Sequence, residues 1–264
     1  YLTGDERVGD RMHEQVEAGR ALRRIQPGRK LAVAENPGDL DRGTPADPDT
    51  IGLSVGTDWG SLAGAWLTEW ERTGDPRMRD RLLAGMRTLG AQPKGFFSTG
   101  LTMNLNTGAY DIVKHDQAGI SHLNAVFGLV EVCAELIQLL DVPEFRKVWL
   151  DYCELYNASA EEQVKRLGTS FKPGSLVQGH SRLTAYAARQ KGDAALARRA
   201  WDEFNRGGIG RQGATGPFKT TRVAGPAVLR PVDEAAFVSS NDTAQWGLAA
   251  IECLALVPEA QPAS

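Results

Sequence analysis

The chain is short of most features that mark a specialised class of protein. Its 264 residues include only three cysteines, four histidines and 7% aromatics, and the acidic and basic side chains nearly cancel to a net charge of −3. Cys133, Cys153 and Cys253 stand singly in apolar stretches. An odd count without C-x-x-C spacing argues against a disulfide framework or a thiolate metal cage, so buried free thiols are expected. A pI near 5.9 excludes a nucleic-acid surface held by bulk electrostatics. No run approaches the roughly 20 apolar residues of a membrane helix. Tyr1 opens directly into sequence of folded character, so neither a membrane span nor a signal peptide is expected within the chain. Alternating strand and helix patterns are missing too, which excludes the common α/β nucleotide folds.

What is present is helical periodicity, with 42% hydrophobic residues, enough for a sizeable core. Apolar residues recur at helical spacing over roughly 6–24, 60–72, 77–91, 117–140, 144–166, 180–190, 194–205 and 241–256. The junctions repeat: TGDERVGDRM, TGDPRMRDRL, LDVPEFRKVW and KGDAALARRA. Glycine can end one helix in a left-handed conformation, while Asp caps the next, with Pro76 and Pro143 inside its first turn. Asp5 to Asp75 spans 70 residues and Asp75 to Asp141 spans 66, so long returns join successive hairpins. Short corners on one side and long loops on the other predict an all-α (α/α) toroid of helical hairpins. It is expected as a single domain over 1–264, incomplete and cut from a larger multidomain chain, because the first corner has no inner helix before it. A small β-hairpin is expected near 95–113, where Asn106-Thr107-Gly108 signals a turn. Residues 206–236 read as a long, Gly-rich, basic loop.

The inner helices of such a toroid would start GTDWGSLAGAWL, KHDQAGISHLNAVFGL, QGHSRLTAYAARQ and SSNDTAQWGLAAIECL. Each opens on polar or aromatic side chains before turning apolar. Parallel helices would bring Asp58, Trp59, Lys114, His115, Asp116, His180, Arg182, Asn241 and Asp242 around one opening. Capping accounts for the aspartates and asparagine. It does not account for the histidines, Arg182 or Trp59, and a cation at a helix N-terminus is disfavoured by the dipole. Gln117, Ser121, Asn124, Gly128, Glu131, Glu135 and Gln138 would form one polar stripe along 117–140. His122 lies beside it, as a packing histidine or a ligand; both readings stay open. His13 reads as a surface residue.

Aromatic, basic and carboxylate groups around a polar cavity suit an acidic carbohydrate, since Arg forks onto carboxylates. For β-elimination from a uronate, His115 or His180 is the candidate base, Lys114 or Arg182 the group neutralising the carboxylate, and Tyr110 the acid. Asp58, Trp59, Asp116, His122, Asn241, Asp242 and Trp246 are candidate substrate-binding residues. Glycoside hydrolysis through a pair among Asp58, Asp116 and Asp242 is the alternative. A non-catalytic glycan- or protein-binding toroid is a third reading.

The runs YLTGDERVGDRM, GTDWGSLAGAWLTEWERTGDPRMRDRLLAGM and HDQAGISHLNAVFGLVEVCAEL resemble the toroid domain of secreted exo-acting rhamnogalacturonan lyases and their bacterial relatives. The resemblance covers most of residues 1–166, with GHSRL and NDTAQWGLAA compatible beyond it. It implies elimination at galacturonate from a chain end, by an extracellular enzyme without a redox cofactor. It also implies β-rich domains flanking the toroid. No cofactor or metal is expected: calcium assists many lyases, but the chain carries no EF-hand-type loop. The expected partner is an acidic polysaccharide or oligosaccharide, with neither nucleic acid nor membrane involved.

Overall fold

The computed structural model describes residues 4–17, 49–121, 128–171, 177–207, 220–235 and 240–262. It divides into two compact units, Tyr1–Tyr152 and Cys153–Ser264.

The first unit holds α1 (Glu6–Val16), β1 (Thr50–Gly52), α2 (Thr57–Thr73), α3 (Pro76–Gly90), a 3₁₀ turn (Gly95–Phe97), β2 (Thr102–Asn104), α4 (Leu129–Leu139) and most of α5 (Pro143–Leu155). The corner between α2 and α3 follows from its sequence. Gly74 takes φ 71 at the end of α2, a conformation a side chain would strain. Asp75 then caps α3 by accepting from the Arg77 backbone N–H at 2.9 Å, and its carboxylate also takes the Arg77 guanidinium at 2.7 Å. Asp5 makes the same two bonds to Arg7 at the head of α1, at 3.0 and 2.9 Å. α2 packs against α1, α3 and α4. The core here is aromatic: Phe96 meets Trp149 at 5.0 Å and Tyr152 at 5.7 Å between ring centroids.

The expected hairpin near 95–113 forms within narrower bounds. Asn104 N–H donates to Ala109 O and Asp111 N–H to Thr102 O, both at 2.9 Å, around the turn at Asn106-Thr107-Gly108. β2 also pairs antiparallel with β1, with Ile51 opposite Met103. The expected helix over 117–140 is corrected: it begins at Leu129, directly after Gly128. Residues 110–121 instead run as irregular chain with a bridge from Ala118 to Ser98. Of the expected polar stripe, Glu131, Glu135 and Gln138 lie exposed on α4, Gln117 and Ser121 lie on the irregular chain, and Asn124 lies outside the described residues.

The second unit holds the end of α5, α6 (Ala160–Leu167), α7 (Ser181–Lys191), α8 (Ala194–Gly207), β3 (Thr220–Val223), β4 (Val232–Ala235) and α9 (Ser240–Leu256). α7 packs on both α8 and α9. The helix expected over 144–166 is broken at Tyr156–Ser159, where Ser159 caps α6 by accepting from Glu162 N–H at 3.2 Å. Within the expected loop at 206–236, residues 220–235 form an exposed hairpin clipped by Arg222 and Asp233 at 3.1 Å. Among the described residues no helix is long and apolar enough to cross a membrane.

At the α7–α8 corner, Asp193 accepts from the backbone N–H groups of Leu196 and Ala195, at 3.0 and 2.8 Å, which holds its pKa below the usual value. Asp193→Ala should cost about 1 kcal/mol, as for other lost caps. A depressed carboxylate stabilises the fold above its unfolded pKa, near 3.9, and that contribution disappears as pH falls through the folded value. Urea unfolding of the two proteins should thus differ at pH 7 and converge under acid.

The three cysteines are free and buried, as expected. Burial raises the Cys153 thiol well above its ordinary pKa and the Cys253 thiol to about 11. A disulfide reagent at pH 8 should find all three only after denaturation; rapid labelling of the folded chain would contradict this packing.

Candidate functional site

In the first unit the chain from Tyr110 to Gly119 is fastened at both ends and open in the middle. Tyr110 N–H donates to Thr88 Oγ1 at 2.9 Å. The Gln92 amide serves as a backbone substitute, donating to Asp111 O at 2.9 Å and accepting from Val113 N–H at 3.2 Å. At the far end Gly119 N–H donates to Phe97 O at 2.8 Å. Between these anchors Lys114, His115, Asp116 and Gln117 are exposed. They stand on an anchored loop, and the expectation that they begin a helix is corrected. Lys94 reaches Asp116 at 2.9 Å, though the Asp116 side chain is 82% exposed, so the pair contributes little to stability. His115 accepts from the Gln117 backbone N–H through Nδ1 at 3.3 Å.

Asp58 does stand in the first turn of α2, exposed, with Ser54 Oγ donating to it at 2.9 Å. Two neighbouring candidates do not stand at an opening. Trp59 is 0% exposed, packed against Phe145 at 5.8 Å and Phe96 at 6.2 Å. Its size and apolar ring take it inward from a turn whose other side chains are polar. Tyr110 is also buried, and its hydroxyl has no hydrogen-bond partner among the described residues. Burial first, and the Asp58 carboxylate second, push its pKa well above that of an ordinary tyrosine. The phenol therefore keeps its proton and is sealed from solvent, which corrects its assignment as an accessible acid.

In the second unit the expected residues lie inside as well. His180 precedes α7, 1% exposed, its ring stacked on Tyr156 at 4.0 Å and 6°. Arg182 is equally buried and donates to Glu252 of α9 at 2.7 Å. These two are interior groups, contrary to the expectation of a solvent-lined rim. Beside them Glu203 accepts from Asn157 at 2.9 Å, Thr184 at 2.7 Å and Arg199 at 3.0 Å. Burial raises its pKa, and these donors oppose the rise. Trp246 is 36% exposed and leans on Phe204 at 5.5 Å, leaving a usable aromatic face. Asn241 and Asp242 lie in the first turn of α9, but their side chains, like all of His122, lie outside the described residues.

The family model described as "PcRGLX-like protein C-terminal alpha/alpha toroid domain" matches residues 1–262. The chain belongs to this family. Its fold is accordingly the (α/α) toroid that the repeated corners predict, and the family is related to rhamnogalacturonan lyases among carbohydrate-active enzymes. The uncharacterized protein YetA of Bacillus subtilis (strain 168) is similar, at 31% identity over 273 residues. The match takes in 100% of this chain and 29% of YetA, so the chain spans less than a third of that relative's length.

Sequence reading missed three residues that shape the toroid's exposed loop. Lys94 has no local signal, since its partner Asp116 is 22 residues away in sequence. Gln92 reads as an ordinary helix-end polar residue until both of its bonds are seen. Gly100, at φ +66, carries a visible turn signal, but nothing in its neighbourhood points to His115.

Proposed function

We propose that this toroid belongs to an extracellular polysaccharide lyase that cleaves a uronate-containing, rhamnogalacturonan-like polysaccharide by β-elimination. The carrying observation is the anchored loop that presents Lys114 and His115 to solvent, in a family related to rhamnogalacturonan lyases. In such a reaction a base takes the C5 proton of the uronate, the C4–O bond breaks, an acid protonates the departing oxygen, and a C4=C5 double bond remains. The C5 proton becomes acidic enough only when the carboxylate beside it is neutralised. Lys114 is better suited to that than Arg182, whose guanidinium is interior and held by Glu252. Trp246 offers an aromatic face of the kind that stacks on sugar rings. On this reading the toroid would work together with β-rich domains of a longer polypeptide, as the resemblance to exo-acting rhamnogalacturonan lyases implies.

The test is a panel of acidic polysaccharides, rhamnogalacturonan included, incubated with this chain and with the longest form of the protein. Ultraviolet absorbance follows the unsaturated uronyl bond, and a second assay follows reducing ends. A rise in both supports the lyase. Reducing ends without absorbance would mean hydrolysis and redirect attention to Asp58, Asp116 and Asp242. Silence in both channels from the longest form would leave a binding role.

A further inference from the structure

We infer that His115 meets its ligand as a neutral hydrogen-bond donor through Nε2–H, not as the base. This rests on the lyase reading for its substrate, a uronate carboxylate, but the ring geometry stands independently. Nδ1 accepts the Gln117 backbone N–H at 3.3 Å. A ring nitrogen that accepts carries no proton, so the neutral imidazole holds its single proton on Nε2. That atom makes no hydrogen bond among the described residues and is left for a ligand. The ring's seat is set by the backbone too. It stands over Gly100, where an added Cβ would come within 3.2 Å of Nε2 at a φ of +66 that disfavours any side chain.

An Nε2–H group cannot remove the C5 proton. It can donate to the carboxylate oxygen on which charge grows as that proton leaves, as a neutral imidazole does in other enolising sites. Lys114, the preceding residue and likewise exposed, is the cation of the same loop; Asp116, on the other side in sequence, is engaged by Lys94. His115 thus donates to the carboxylate, Lys114 of the same loop supplies the neutralising charge, and the base is a different group.

Ring ¹⁵N NMR of the 264-residue chain at neutral pH reads the tautomer without any substrate. The expected spectrum shows His115 with Nε2 protonated and Nδ1 bare; the reverse assignment overturns the inference. Kinetics add a second reading. His115→Ala should lose about 10²–10³-fold in kcat. His115→Gln, whose amide nitrogen reaches the position of Nε2 and donates, should recover most of that loss. A glutamine variant as inactive as the alanine variant would restore the base role and refute the donor role. If the wild-type protein eliminates no uronate at all, the lyase reading fails, and the NMR result alone decides the tautomer.

Discussion

Trp59→Ala should destabilise the first unit by about 3–5 kcal/mol, the usual cost of truncating a fully buried large aromatic. Trp59 is 0% exposed and its ring lies within 6.2 Å of Phe96 and 5.8 Å of Phe145, so truncation opens a cavity in the centre of an aromatic cluster. Gly85 of α3 runs alongside the indole: a Cβ added there would meet Trp59 Nε1 at 3.5 Å, an ordinary van der Waals contact. Trp59→Phe, which retains a ring, should cost clearly less. Urea unfolding followed by circular dichroism reads both. The comparison also tests the site, because Trp59 stands in a helix opening whose sequence invites a sugar-stacking role. A Trp59→Ala protein as stable as wild type but weakened for glycan would revive that role. Trp246→Ala should show the opposite pattern, with a small change in stability and weaker glycan binding.

Lys114→Met should lower kcat/KM on a uronate polymer by about 10²–10³-fold, the range found when one preorganised charge-stabilising group is removed. Its stability should stay within about 0.5 kcal/mol of wild type, because the side chain is exposed and its loop is fastened by bonds that do not involve it. Initial rates of absorbance gain, paired with thermal unfolding, separate the two effects. Lys114→Arg keeps the charge and should regain part of the rate. An unchanged rate in Lys114→Met would remove this residue from the chemistry.

The helical corners were legible because each is written in three or four adjacent residues. Gly74-Asp75-Pro76 and Gly192-Asp193 state the end of one helix and the cap of the next without reference to the rest of the chain. The loop bearing Lys114 and His115 was misread for the complementary reason. Its conformation is imposed by Thr88, Gln92 and Phe97, residues at long sequence separation that leave no periodic trace. A helix over 117–140 would run through Gly119 and Gly128, and both are punctuation: Gly128 takes φ 83 directly before α4. Of the titratable residues read as helix openings, Asp58 and Arg182 stand in a first turn and His180 just before one, whereas Lys114, His115 and Asp116 stand on the loop, and depth is not legible either. Period alone does not say that His180 and Arg182 are interior while Lys114 and His115 are not.

The corners and the strand pair also differ in when they can form. The cap bonds by which the Asp5, Asp75 and Asp193 carboxylates accept from Arg7, Arg77 and Leu196 span three residues or fewer, so closing them costs little chain entropy. β1 and β2 pair Thr50 with Asn104 across a much longer loop. During folding, the hairpin corners are therefore expected to appear early and the strand pair late. The hairpin that leads into Lys114 is built on β2, so the loop proposed to bind takes shape near the end of assembly. A nascent chain would hold its helical scaffold before it could present the loop that bears Lys114.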